Sequence, residues 1–205
     1  MILAEGPETV AAFIGEPVIG AGCVLVPPKG YWDKVQKVLK KYDILLVADE
    51  VIMGFGRSGK TFACEYYGIT PDFLVLSKQI TSSYQPLAAI LLTDAVYQAI
   101  ADGSQKNGAF GHGYTASGHP VAMAVAIENL KIIEERGLVA NAEKVGAYMQ
   151  KRLREFADHP LVGEVRGVGL IAGVELVTDK ATKAKFDPVG KAGAIYTRKS
   201  AENGL

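Results

Sequence analysis

Ionisable residues stand at three points where a short apolar run stops: Glu16 after AAFIG, Asp49 and Glu50 after ILLVA, and Lys78 after FLVLS. Runs of this length and makeup read as buried strands of a parallel sheet, and in open α/β sheets the functional groups gather just outside the strands' carboxyl ends. One crevice would then hold an acid, a second acid and a lysine. An ammonium without a partner is costly to desolvate and tends to lose its proton instead. A lysine in that state is a nucleophile, as carbonyl chemistry and Schiff-base formation with pyridoxal phosphate require. An acid near a pyridinium nitrogen keeps that nitrogen protonated, so the ring can accept electrons from a carbanion beside it. Asp49 and Lys78 suit those two roles, and their spacing suits a strand, a crossover and a strand. A plainer arrangement fits the same residues: Asp49 caps the turn after its strand, and Lys78 lies on the surface with its head in water.

The elements around these residues are legible from period and punctuation. With 205 residues, 49% apolar and 21% charged, the chain reads as a globular protein of one large domain or one and a half ordinary ones. Its 22 basic and 22 acidic residues cancel, which gives no reason to expect nucleic acid or an anionic membrane as partner. No apolar run approaches the roughly 18 residues of a membrane helix, so a cytosolic location is expected. Cys23 and Cys64 form no C-x-x-C pair and the three histidines lack ligand spacing; reduced, partly buried thiols and no metal site are expected.

Strands are expected at residues 11–15, 44–48, 73–77 and 88–92, with a Gly/Pro loop over 20–30 and a helix over 33–42 capped by Asp33. Five glycines between Gly103 and Gly118 predict a loop there. Helices follow over 119–135 and 138–157, then apolar or alternating runs at 162–168 and 170–177. Strands separated by helix-length segments mean an α/β layer, and the later helix with paired strands means a smaller α+β unit starting near Gly137. Both ends look like cuts through a longer protein: a helix tail follows Met1 at once, and a new helical pattern has only begun before Leu205.

One motif points elsewhere. Gly54-Phe-Gly-Arg-Ser-Gly59-Lys60-Thr61 fits G-x-x-x-x-G-K-[ST], the phosphate-cradling loop of nucleotide triphosphatases. Against that reading, the preceding strand stops at Ala48 instead of running into Gly54. The acidic element ILLVADE lies upstream of the loop, and the helix after Lys60 has only Thr61 to Tyr67 before Gly68.

The run LLVADEVIMGFGRSG, followed by PDFLVLSKQITSSYQPLAA, resembles the signature of the class III pyridoxal-phosphate aminotransferases, especially the ω-amino acid or amine:pyruvate group. FIGEPVIGAG, VPPKGYW, GHGYTASGHP and VRGVGLIAGVEL resemble further blocks of that family in its usual order, so the likeness covers almost the whole chain. The resemblance implies a fold-type-I PLP transferase: the mostly parallel sheet of the large cofactor domain over 1–136, and the start of a smaller α+β C-terminal domain over 137–205. It implies that Lys78 carries the Schiff base and shuttles the proton, Asp49 pairs with the ring nitrogen, and Val51 presses one ring face. Thr115 matches a threonine that reaches the cofactor phosphate of the neighbouring subunit, which implies a homodimer with a shared active site.

The implied reaction moves an amino group from an amine or ω-amino acid to a keto acid such as pyruvate. An aminomutase, a decarboxylase or a racemase on the same scaffold is the near alternative, because function lives in site residues. Glu16 matches a glutamate that approaches the substrate side, and reads equally well as a strand-end carboxylate tied to backbone amides. Glu50 and Arg57 read as braces of the turn around Asp49. Gln79 and Ser83 stand where many relatives have small residues, and Ile52 where some carry a glutamine directed at the cofactor hydroxyl. A phosphate-binding Ser-Gly-Ser-Glu-Ala-like loop, the ring-stacking aromatic after it and a C-terminal substrate arginine have no counterpart in the sequence.

Overall fold

A computed structural model describes residues 1–205. After α1 (Ile2–Glu5), β1 (Ala12–Gly15) enters a four-stranded sheet, followed by α2 (Tyr31–Lys41), β2 (Leu45–Asp49), α3 (Ala63–Tyr67), β3 (Phe73–Leu76) and β4 (Ala89–Leu92). The order is β1-β2-β3-β4; the first three strands run parallel, and β4 returns antiparallel to β3. Between β3 and β4 there is only a turn-rich link, with no crossover helix to carry the chain back for another parallel strand. α4 (Asp94–Asn107) and α5 (Pro120–Glu135) lead to α6 (Leu138–Arg154), the hairpin β5 (Val162–Val168) and β6 (Ile171–Leu176), and α7 (Lys191–Glu202).

One face of the main sheet is packed. Leu46 and Ala48 of β2 lie in a core with Trp32, Leu39, Ile44, Cys64 and Ile69, and Phe13 and Leu74 pack against its border. Trp32 anchors α2 to the end of β1: its ring meets Phe13 edge-on at 6.3 Å, and its Nε1 donates to the Pro17 carbonyl at 3.1 Å. Burial of a side chain such as Leu39 contributes roughly 1.5–3 kcal/mol, so α2 holds through this face and not through its lysine-rich outer one. The helix starts at Tyr31, ahead of the expected Asp33. Gly30 takes the left-handed N-cap position at φ 77°, which admits Trp32 to the first turn and leaves Asp33 inside the helix.

The hairpin β5–β6 docks on α6 through a close backbone approach. A Cβ on Gly146 would lie 2.5 Å from the Gly169 carbonyl carbon, so only glycine lets the helix and the hairpin backbone meet here. Gln150 Nε2 donates to the Gly169 and Ile171 carbonyls at 3.0 Å each, and the Leu170 amide donates to the Arg57 carbonyl at 2.9 Å. Arg166 Nε donates to the carbonyls of Cys23 and Val24. The loops that follow β1 and β2 are thereby tied to the second sheet.

Two further boundaries differ from expectation. α4 runs through Gly103 to Asn107, so the glycine-rich loop is confined to residues 108–119, and α6 ends at Arg154. Cys64 is buried but Cys23 is exposed, and both are free thiols. No helix is long and apolar enough to cross a membrane.

Candidate active site

The register brings the strand ends to one level. Gly15 is the Cα partner of Ala48, and Asp49 of Val75. Glu16, Asp49 and Lys78 therefore all leave the sheet at its carboxyl edge, with Lys78 three residues past Val75 on the strand adjacent to Asp49.

Alternation along β2 separates the two neighbouring acids. Leu46, Ala48 and Glu50 are buried, while Leu45, Val47 and Asp49 stand on the opposite, partly open face. Asp49 is half-buried. Its Oδ1 accepts from the Val51 amide at 3.0 Å, which caps the turn and fixes Val51 beside it, and its second oxygen has no hydrogen-bond partner in the chain.

Glu50 is 1% exposed. Its Oε1 accepts from the Cys64 amide at 2.6 Å at the start of α3, and Oε2 has no partner. Burial pushes its carboxyl above the ordinary value, only partly offset by the backbone amides of Cys64 and Ala63. Burial, then the nearby Glu50 carboxylate, pushes the Cys64 thiol up, which keeps it unreactive. Arg57 Nε donates to the Ile52 carbonyl at 2.7 Å. Glu50 and Arg57 thus brace the turn after Asp49 from two sides, each through backbone and not through each other.

The raised Glu50 value has a consequence for stability. The folded chain holds this proton more tightly than the unfolded one, so the contribution is complete below the ordinary carboxyl value of 4.5 and is lost as pH rises through the folded value. Glu50→Gln keeps an acceptor for the Cys64 amide without a charge to bury. Its melting temperature, followed from pH 4 to 8, is expected to decline less with rising pH than that of the wild type; parallel curves would show that Glu50 does not titrate in the folded state.

Lys78 is exposed, and its Nζ makes no hydrogen bond or ion pair in the chain. The expectation of an amine desolvated at a buried strand end is corrected for this chain. The face carrying Val47 and Val75 is only half covered, and Ile14 and Ile90 beside it are 63% and 61% exposed. The backbone at Lys78 is constrained: φ is +44°, a left-handed value in a non-glycine residue, where the chain turns from strand into the 3-10 turn Lys78–Ile80.

That turn is tied down by residues the sequence did not single out. Ser77 Oγ donates to the Leu87 carbonyl at 2.9 Å, and Thr81 Oγ1 to the Gln85 carbonyl at 2.6 Å. From α5, Asn129 Nδ2 donates to the carbonyls of Gln79 (2.7 Å) and Ile80 (3.2 Å), and its Oδ1 accepts from Ser82 Oγ at 2.7 Å. These partners lie 47 to 50 positions apart in sequence, so no local pattern announces them.

The remaining candidates separate. Glu16 Oε2 accepts from the Gly20 amide at 2.9 Å, the backbone-tied arrangement. Thr115 is exposed in the loop between α4 and α5, and its hydroxyl has no partner in the chain. Asp49, Val51, Lys78 and Thr115 line none of the five best-formed cavities, and Thr115 makes no hydrogen bond to the other three.

The phosphate-loop reading of Gly54 to Thr61 is overturned by the local geometry. The amides of Phe55 and Gly56 both point at the Thr61 carbonyl (2.6 and 3.2 Å), and that of Gly59 at the Gly56 carbonyl, so they are not turned toward a ligand. Lys60 is paired with Glu143 at 3.0 Å, and the helix that follows has five residues.

Known proteins with the same pattern are numerous. Residues 1–205 match the family model of Aminotransferase class-III. The chain is 51% identical, over its whole length, to a diaminobutyrate–2-oxoglutarate transaminase of Halomonas elongata and 47% identical to a putrescine–pyruvate aminotransferase of Pseudomonas aeruginosa, covering 44% of each. It is thus a little under half as long as these relatives. The omega transaminase of Pseudomonas jessenii, solved in complex with PMP, superposes on 99% of the chain with a TM-score of 0.96 at 60% identity, 45% of that protein being covered. A mostly parallel sheet whose carboxyl edge presents Asp49 and Lys78, matched from end to end in sequence and over 99% of the chain in structure, places this chain in one family: it belongs to the class III aminotransferases.

Proposed function

We propose that the protein containing this chain is a pyridoxal-phosphate-dependent aminotransferase that moves an amino group from an amine or ω-amino acid to a keto acid such as pyruvate. The observation that carries this reading is the pairing, on adjacent parallel strands, of a carboxylate with one oxygen free and a lysine with its amine free. The putrescine and pyruvate in one relative's name, and the omega transaminases among the solved structures, support the substrate class.

The residues suit pyridoxal phosphate. Asp49 offers its unpartnered oxygen, Val47, Val51 and Val75 offer apolar surface for a flat ring, and Lys78 offers an amine with no competing partner. When bound, the cofactor supplies an electron-poor ring that weakens a bond to the substrate carbon carrying the amine. Asp49 would hold a proton on the ring nitrogen, and Val51 would press one ring face and keep water from it. Lys78 Nζ would anchor the cofactor and, once freed, carry the proton to and from the substrate carbon. Thr115 would reach the phosphate held by a neighbouring subunit, which makes the assembly a homodimer. In the same reading residues 1–136 belong to the large domain and 137–205 open the small one, a division supported by the separate β5–β6 sheet. A cytosolic setting accords with the two free thiols.

The test is product analysis. Full-length protein loaded with pyridoxal phosphate and supplied with putrescine or 4-aminobutyrate together with pyruvate is expected to form alanine as the amine is consumed. Release of carbon dioxide or an isomerised amine, with pyruvate untouched, would replace this reading by the decarboxylase or mutase one.

A further inference from the structure

We propose that Asn129 is the positioning residue for Lys78: from α5 it clamps the strained turn after the lysine and so fixes the direction in which the amine leaves the sheet. The proposal rests on Lys78 as the cofactor anchor, and deepens that reading by naming what holds the anchor in place.

The backbone after β3 needs such a clamp. Lys78, Ser82 and Ser83 have φ values of +44°, +48° and +63°, three left-handed non-glycine residues within six positions. Conformations of this kind persist only where the surroundings over-determine them. The bonds within the segment do not suffice for that. The Thr81 and Ser83 amides donate to the Lys78 carbonyl at 3.3 Å each, and the Ser77 and Thr81 hydroxyls to the Leu87 and Gln85 carbonyls, so all of these join the loop to itself or to its continuation toward β4 and none reaches a helix packed on it.

Asn129 differs because it comes from a separate helix. One Nδ2 gathers two successive carbonyls at the end of the 3-10 turn: Gln79 at 2.7 Å, whose oxygen also accepts from the Ser82 amide at 3.3 Å, and Ile80 at 3.2 Å. Its Oδ1 takes the Ser82 hydroxyl at 2.7 Å, at the second left-handed residue. Donor and acceptor ends of the amide are both committed, a demand that a carboxylate or an alkyl group does not meet, and a hydroxyl, with a single O–H, could donate to only one of the two carbonyls. Thr81 and Ile80 are buried beside it, at 1% and 8% exposure, so water is poorly placed to replace the amide. The lysine side chain itself has no partner in the chain; its direction is set by its backbone, and the turn which that backbone enters is held from outside by Asn129. A reacting amine needs this order, since small misplacements of reacting groups lower rates steeply.

The discriminating variant is Asn129→Asp, nearly the same shape but with an acceptor facing two carbonyls. Two measurements on the full-length protein read it. Without cofactor, hydrogen exchange of the amides of residues 81–84 is expected to quicken by about tenfold or more in Asn129→Asp and Asn129→Ala, and less in Ser82→Ala, which deletes one bond of the three. With pyridoxal phosphate bound, the pH midpoint of the borohydride-sensitive absorption band is expected to move by about half a unit or more, roughly a threefold change in protonation ratio. A folded Asn129→Asp protein with wild-type exchange, or with faster exchange and an unmoved midpoint, overturns the proposal. If Asn129→Asp does not fold, Ser82→Ala decides by the same two measurements. Lys78→Ala is the control for the underlying reading: a band that survives there removes Lys78 as anchor, while exchange at residues 81–84 still tells whether Asn129 holds the turn.

Discussion

Lys78→Ala in the full-length, cofactor-loaded protein is expected to abolish fixation of pyridoxal phosphate by borohydride and to lower amino transfer by roughly 10²–10⁴-fold or more, the range for removing a positioned proton-transfer group. The fold should not be the cause. The Lys78 side chain is exposed and makes no hydrogen bond or ion pair in the chain, and alanine carries the same Cβ at the left-handed backbone, so the substitution removes no contact and adds no strain there. Lys60, the other lysine that a motif marks, is engaged with Glu143 of α6. The measurement is direct, because reduction leaves the cofactor covalently on the protein and a peptide map locates it. Cofactor found on the same peptide position in wild type and absent from the variant supports the assignment; fixation that persists at another lysine ends it.

What the sequence made legible follows from where physical information is local. A run such as FLVLS carries its own evidence of burial, and its position before Lys78 carries the strand's end, so β1, β2 and β3 and their ionisable tips could be read in advance. Apolar composition has no direction, however, and β4 runs opposite to β3. The clue was the link between them, which carries no crossover helix. α4 was masked because a glycine count takes Gly103 for a loop, whereas a helix tolerates one glycine near its end at a modest cost.

Face assignment is harder still. Leu45, Leu46, Val47 and Ala48 are all apolar, so nothing in ILLVA says which alternate set is covered. The register decides: Asp49 falls on the open face and Glu50 on the packed one, and two adjacent carboxylates of the same chemistry take different work. Glu50 secures α3, and Asp49 keeps a free oxygen. Asn129 was invisible for another reason. Its partners stand on a turn about 50 residues earlier, and an asparagine inside an alanine- and isoleucine-rich helix has no local mark to distinguish it from a surface polar residue.

The division between those two carboxylates also sets the sharpest electrostatic expectation. Asp49→Asn changes the charge while keeping size and an acceptor for the Val51 amide, so the turn and the placement of Val51 should survive and the melting temperature should stay close to that of the wild type. What is lost is the anion that would hold a proton on the ring nitrogen. Removing one preorganised electrostatic partner of developing charge costs on the order of 10²–10³ in kcat. The loss should fall on kcat with KM for the amine little changed, because Asp49 is assigned to the ring and not to the substrate. Glu50→Gln, one position away and on the packed face, should leave kcat near wild type in the same assay, since its carboxylate ends on the Cys64 amide. Equal losses in the two variants would mean that both act through the turn alone, and wild-type kcat in Asp49→Asn would take Asp49 out of the site.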